Sequence, residues 1–405
     1  MKSNYRKIGD FIELVDERNK DLSVDTLLGL SITKEFIPSV ANTIGTNMAN
    51  YKIIRKNQFA CSIMQVRRDK KMPVALLKDF DEAIISQAYP VFQVKDESEL
   101  LPDYLMMWFT RSEFDREACF HAVGGVRGSL EWLDFLNMEL PVPSIEKQQE
   151  IVNEYNTVVN RIKLNEKLNE KLEETAQTLY KHWFVDFEFP DENGKPYKSS
   201  GGKMVYNEEL DKEIPEGWTK GQLSDISIII MGQSPSGDSY NKEGNGEIFY
   251  QGRTEFGFRY PQVKNFTTEP KRRAKKGDIL MSVRAPVGDL NIANSNCCIG
   301  RGVASLCSKD DNNSFLFYLM KDVKRQFDIA NEDGTVFGSI TKDGLYEIEI
   351  IVPVSEVMVK FNEHVSKVDQ KIEYQCGQIF CLEEARRLLL TRMTKVETKI
   401  KSALS

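Results

Sequence analysis

The sequence predicts an α+β protein: two globular mixed α/β domains related by an internal repeat, separated by two long α-helices that form an antiparallel coiled coil. Three observations predict it. First, Gly128-Ser129-Leu130, Leu140-Pro141-Val142-Pro143 and Glu146 are echoed without gaps, about 210 residues later, by Gly338-Ser339-Ile340, Ile350-Ile351-Val352-Pro353 and Glu356. A self-similarity of that period is too long for a solenoid unit and matches a whole domain plus a helix. Second, each copy runs into an apolar pattern stepping alternately by four and three, which is a heptad seam. Third, the stretches before each copy hold short β-branched runs punctuated by turn residues, as expected of strands mixed with helices.

Taken in chain order, the first domain is expected over 1–143, with strands at 83–86 and 89–94 and a helix at 101–114. The loop Gly124-Gly125-Val126-Arg127 then precedes the repeated segment. A central helix over 144–190 carries the seam Ile151, Tyr155, Val158, Ile162, Asn165, Asn169, Leu172, Ala176, Leu179 and Trp183. A polar linker over 191–216 follows, and Asp191 to Lys195 within it reads as a flexible loop. The second domain is expected over 217–353. It has a β-branched run at 226–230, a turn-forming Met231-Gly232-Gln233-Ser234-Pro235-Ser236-Gly237, and a turn at Lys276-Gly277-Asp278 leading into a strand at 279–284. A helix at 314–327 and the loop Gly334-Thr335-Val336-Phe337 complete the correspondence with the first domain. The last helix, 354–405, carries Phe361, Val365, Val368, Ile372, Gln375, Ile379, Leu382, Arg386, Leu389 and Met393 on its seam. No proline interrupts either helix, and each would extend about 50 Å. The amides Asn165 and Gln375 sit mid-seam, where a polar residue lowers stability but fixes register and partner. Two packings are open: the helices pair with each other, or each lies on its own domain.

The net charge of −7 argues at first against nucleic acid. Local balance matters more than the total. Lys52, Arg55, Lys56, Arg67, Arg68, Lys70, Lys71 and Lys78 are opposed within their segment by Asp69 alone. Arg253, Arg259, Lys264, Lys271, Arg272, Arg273, Lys275, Lys276 and Arg284 face only Glu255, Glu269 and Asp278. A single charge run is usually a solvated face, but these two fall in corresponding parts of the repeats. The seven cysteines show no CxxC spacing and read as reduced thiols. With no signal-like start and no apolar run of about 18 residues, no membrane association and a cytoplasmic location are expected. Phosphate-loop, HExxH and adenine-methyltransferase patterns do not occur, so catalysis is not expected of this chain.

Met231-Gly232-Gln233-Ser234-Pro235, the run from Lys276-Gly277-Asp278 through Met281-Ser282-Val283-Arg284-Ala285-Pro286-Val287-Gly288, and Cys298-Ile299-Gly300-Arg301-Gly302 resemble the target recognition domain of type I restriction-modification specificity subunits. Leu140-Pro141-Val142-Pro143 through Gln148-Gln149-Glu150-Ile151-Val152, and Leu179-Tyr180-Lys181-His182-Trp183-Phe184-Val185-Asp186-Phe187, are similar to the end of such a domain and its spacer helix. The resemblance spans essentially the whole chain. It implies that each domain reads one half of a bipartite double-stranded DNA site, while the helices set the spacing and dock two methyltransferase subunits, with restriction/translocase subunits beyond them. It also implies that S-adenosylmethionine, ATP and Mg belong to those partners and that this chain binds none of them. The first domain departs from the pattern: residues 22–32 hold no MGQSP-like loop, and 57–65 match the second domain's KGDILMSVR poorly.

Phosphates are met by Lys and Arg, whereas base edges are read by groups such as Arg for guanine and Asn or Gln for adenine. The DNA-binding candidates are therefore Lys52, Arg55, Lys56, Gln58, Arg67, Arg68, Lys70, Lys71 and Arg127 in the first domain. In the second they are Gln251, Arg253, Arg259, Lys264, Arg272, Arg273, Lys275 and Arg284. The aromatic cluster Trp183, Phe184, Phe187 and Phe189 is a candidate partner-docking patch, with ordinary core under the linker as the alternative. A stand-alone regulator with two DNA-binding domains and a protein-interaction scaffold are the competing functional readings.

Overall fold

The chain divides into two units, Met1–Ile162 with Cys381–Ser405, and Lys163–Phe380, so each takes one globular domain and one end of each long helix. The structure, a computed structural model, describes residues 5–39, 46–124, 128–332 and 338–394.

Both domains are built on the same four-stranded antiparallel sheet. In the first unit the order is Ile12–Val15, Val91–Val94, Phe59–Cys61, Val74–Leu76. In the second it is Ser227–Met231, Val303–Ser308, Ile279–Ser282, Leu290–Ile292. The third strand is buried on both faces in each case, because alternate residues point into different cores. Phe59 and Cys61 enter one cluster and Ala60 another; Ile279 and Met281 enter one and Leu280 another. A short strand closes each domain onto the repeated segment, Tyr5–Lys7 on Glu139–Pro141 and Thr219–Gln222 on Glu349–Val352. The second domain adds a five-stranded sheet that includes Glu247–Tyr250, Cys297–Ile299 and Arg273–Ala274.

The helix expected at 101–114 is two helices, Pro102–Phe109 and Ser112–His121, broken at Thr110 and Arg111. Its counterpart, Asn313–Glu332, is continuous. The long helices run from Ile145 to Tyr180, ending in a π-helical turn Lys181–Val185, and from Ser355 to Arg392.

The helices lie antiparallel beside one another within each unit. In the first unit, Ile151 and Tyr155 pack into the domain core with Leu390 and Met393, Ile162 is buried, and Val158 lines a groove with Leu389. Leu382 is half-buried. In the second unit, Phe361, Val365 and Ile372 are buried, with Leu179 and Val368 at the core edge and Leu172 half-buried. Asn165 and Gln375 are both buried; the Asn165 amide donates to Gln378 Oε1 at 3.4 Å. The two packings left open by the sequence occur together, since each helix end is also covered by a domain.

Two expectations are corrected. Trp183, Phe184 and Phe187 are buried in the second unit's core, packed on Phe361, Phe315 and Trp218, so they form no exposed patch. The expected linker is folded over them. Tyr197 stacks on Phe189 at 4.5 Å, Phe189 stacks on Trp218 at 5.2 Å, and 204–215 form the hairpin Met204–Asn207 and Lys212–Pro215. The Asp191 carboxylate accepts the backbone N–H groups of Asn193 and Lys195, which orders the turn read as a flexible loop.

Candidate nucleic-acid interface

The basic segments of the two domains share one β-turn. Gln58 Oε1 accepts the Arg55 N–H at 2.8 Å, and Asp278 Oδ2 accepts the Lys275 N–H at 2.8 Å. Asn57 N–H donates to Leu77 O and Gly277 N–H to Ala293 O, and both residues have left-handed φ, 67° and 91°. Asn is among the few residues that tolerate this conformation in place of Gly. Lys56-Asn57-Gln58 and Lys276-Gly277-Asp278 are therefore the same structure in different residues, so at this turn the poor match is one of letters alone.

In the first domain a helical turn, Val66–Asp69, stands between two left-handed residues, Gln65 and Lys70. Val66 is fully buried and anchors it, leaving Arg67, Arg68, Lys70 and Lys71 exposed. Just beyond it the Met72 N–H donates to Asp115 Oδ1, which also takes the Lys34 ammonium at 2.7 Å. Burial pushes the Lys34 ammonium below its usual pKa, with Asp115 pulling against that shift. Arg68 is held by Asp69, whose carboxyl is in turn lowered by that bond. Arg67, Lys70 and Lys71 make no ion pair among the described residues.

In the second domain three separate motifs converge through the backbone. Gly232 N–H donates to Val303 O and Gln233 N–H to Ile299 O, Gly302 N–H donates to Gln251 O, and Val283 N–H donates to Gly302 O. Arg301 N–H is accepted by Ser234 Oγ. A Cβ on Gly232 would fall 2.2 Å from Gly300 O, so only glycine permits this approach. The exposed side chains of Gln233, Gln251, Arg284 and Arg301 are thereby gathered at one edge, without hydrogen-bond partners among the described residues.

These converging motifs are those of a known family. The type I restriction modification DNA specificity domain matches residues 2–174 and 215–379. The chain belongs to that family. It is a specificity subunit of a type I restriction-modification system, a class of non-catalytic DNA-recognition subunits. It is 33% identical to the putative type I restriction enzyme MjaX specificity subunit of Methanocaldococcus jannaschii over 73% of this chain and 68% of that one. It is 24% identical to the type I restriction enzyme HindI specificity subunit of Haemophilus influenzae, over 79% and 82%. The fold is also that of the crystallised type I restriction-modification S subunit from M. genitalium, with a TM-score of 0.56 and 17% identity over 96% of this chain and 95% of that one.

Within this specificity subunit several of the expected DNA contacts are buried or already paired within the chain. Arg259 is 1% exposed: Nε lies 3.2 Å from Glu173 and Nη2 3.3 Å from Asp369, Nη2 donates to the Tyr318 hydroxyl, and the guanidinium lies over the Phe317 ring. It joins the second domain to both long helices and is withheld from solvent. Gln58 is buried in its turn and donates to Gln93. Lys52 is 12% exposed, with its ammonium on Tyr89 O and 3.7 Å from Asp16. Arg55 is exposed but clamped by Glu17 and Glu82. Arg253 pairs with Asp289, Arg273 with Glu247, and Lys264 donates to Thr254 O. Lys56 is exposed, 3.9 Å from Asp81. Arg272, Lys275 and Arg284 are exposed without an ion pair among the described residues. Arg127 lies outside the described residues. Gln233, Lys271 and Arg301 were not among the sequence candidates; the glycines beside Gln233 and Arg301 were the signal that could have found those two. Among the described residues no helix is long and apolar enough to cross a membrane.

Proposed function

We propose that this specificity subunit recognises a bipartite, asymmetric double-stranded DNA site, one half per domain, and carries methyltransferase and restriction/translocase subunits to it. The observation that carries this reading is the pairing of one scaffold with two different exposed sets. The first domain offers Arg67, Lys70 and Lys71, and the second offers Lys271, Arg272, Lys275, Arg284 and Arg301. A repeated scaffold with unlike polar surfaces suits two unlike half-sites on one duplex. Two methyltransferase subunits, one for each half, match the duplication. In this reading S-adenosylmethionine, ATP and Mg reside on the partners, and the assembly works in the cytoplasm.

Exchange of residues 1–143 for the matching region of a relative with another specificity tests it. Sequencing methylated positions in host DNA should show one half of the target altered and the other kept. A change in both halves, or in neither, overturns the bipartite reading.

A further inference from the structure

The backbone hydrogen bonds allow the loops of the two domains to be placed in register even where the sequences share nothing. Leu130 N–H donates to Ile63 O and Ile340 N–H to Val283 O, so Met64 occupies the position of Arg284. Tyr89 N–H closes a turn on Ser86 O and Val303 N–H on Gly300 O, so Gln87 stands where Arg301 does. Leu14 pairs with Phe92 and Ile229 with Leu306, so these strands match as far as Val15 and Ile230; beyond them the chains part, Arg18 bridging to Lys52 while Gln233 N–H donates to Ile299 O. The parallel pairings Leu27 with Ile84 and Phe249 with Cys298 set Gly29 at the place of Gln251.

We infer that these loops hold the specificity-determining positions of each domain: Gln233, Gln251, Arg284 and Arg301 in the second, and Gly29, Met64 and Gln87 in the first. The inference rests on the bipartite reading above and deepens it. In the second domain all four side chains are long, polar, exposed and unpartnered among the described residues, and the glycine-dependent turns bring their backbones together. Their chemistry suits base edges: two guanidinium forks for guanine O6 and N7, and two amides for adenine N6 and N7. The first domain offers less hydrogen bonding at the same places. Gly29 has no side chain, Met64 is apolar and 46% exposed, and Gln87 is an exposed amide. The second half-site therefore contains guanines read by Arg284 and Arg301. The first contains an adenine read by Gln87 beside a thymine methyl that meets Met64.

The test uses the full chain co-expressed with its methyltransferase partners and a randomised double-stranded DNA library, sequenced after selection. Arg284→Met and Arg301→Gln should each cut discrimination at one G·C pair of the second half by about 10- to 100-fold and leave the first half unchanged. Gln87→Arg should convert an adenine preference in the first half to guanine. A uniform loss over all sequences, as a phosphate contact would give, overturns the assignment, as does a base preference that survives substitution. If the unsubstituted complex selects no two-part sequence, the bipartite reading itself fails. Unchanged circular dichroism and thermal midpoint would separate either result from misfolding.

Discussion

In the first domain the connection after Phe59–Cys61 runs from Ser62 to Pro73 and carries Arg67, Arg68, Lys70 and Lys71. In the second, the connection after Ile279–Ser282 returns by Asp289 and carries Arg284 as its only cation. Ser62 N–H donates to Pro73 O and Ser282 N–H to Asp289 O, so both loops leave and rejoin the sheet at the same rung. The charge nodes differ in the same way. The first domain buries Lys34 with Asp115 inside itself, joining a loop to the helix Ser112–His121. The second buries Arg259 against Glu173 and Asp369, joining a loop to the two long helices. The sheet that orients the loops is held by backbone bonds indifferent to side chains, so loop length and charge can diverge without disturbing it.

The two domains differ most in their buried charges. Arg259→Leu leaves the half-buried Asp369 without a cation and Glu173 with Lys321 alone, and should cost roughly 3–5 kcal/mol in urea unfolding. Asp115→Ala should cost the first unit a similar roughly 3–5 kcal/mol and speed deuterium exchange at the Met72 amide. A loss below about 1 kcal/mol in either case would mean that the node is solvated. The helix ends come next. Trp183 and Met393 occupy equivalent seam positions, each buried in the core of its own unit. Trp183→Ala should cost about 3–5 kcal/mol and Met393→Ala about 2–5 kcal/mol. A Trp183 variant of native stability that no longer assembled with partners would restore a docking role for this aromatic cluster.

Smaller effects are expected at the helix seam and on the basic turn. Gln375 Oε1 is buried without a hydrogen-bond partner among the described residues, so Gln375→Leu should stabilise the chain by roughly 1–2 kcal/mol. A destabilised variant would show that the amide is satisfied in solution. Replacing Arg67, Lys70 and Lys71 together with Ala should leave the thermal midpoint unchanged. In the assembled complex it should make the plot of log affinity against log salt shallower by up to about 0.9 for each phosphate left without its cation. An unchanged slope would remove the helical turn from the DNA surface.

Elements with strong local periodicity were legible in the sequence. Both long helices follow from their seams. The strands Glu82–Ile85, Val91–Val94, Ser227–Met231 and Ile279–Ser282 follow from short apolar runs beside turn residues, whereas the central strands Phe59–Cys61 and Val303–Ser308 were not expected. The break at Thr110 was not legible, because the apolar pattern continues through it and only packing divides the helix. Trp183, Phe184 and Phe187 looked like an exposed patch, since nothing local announced that the hairpin 204–215 and Trp218 would cover them. Of the site, the sequence located the two basic segments but could not sort their cations. Whether an arginine faces solvent or a carboxylate far along the chain is set by tertiary neighbours, as Arg259 shows with partners 86 and 110 residues away.

By itself, then, the sequence determined the duplication, the two helices and the family, because repeats, heptads and glycine-bearing motifs are written in adjacent residues. Only the tertiary structure decided that Asn57 and Gly277 close the same turn, that Gln58, Lys52 and Arg259 are withdrawn from solvent, and that Gln233, Gln251, Arg284 and Arg301 share an edge. Those relations depend on hydrogen bonds and burial between segments distant in the chain, and no local pattern encodes a partner that only folding brings near.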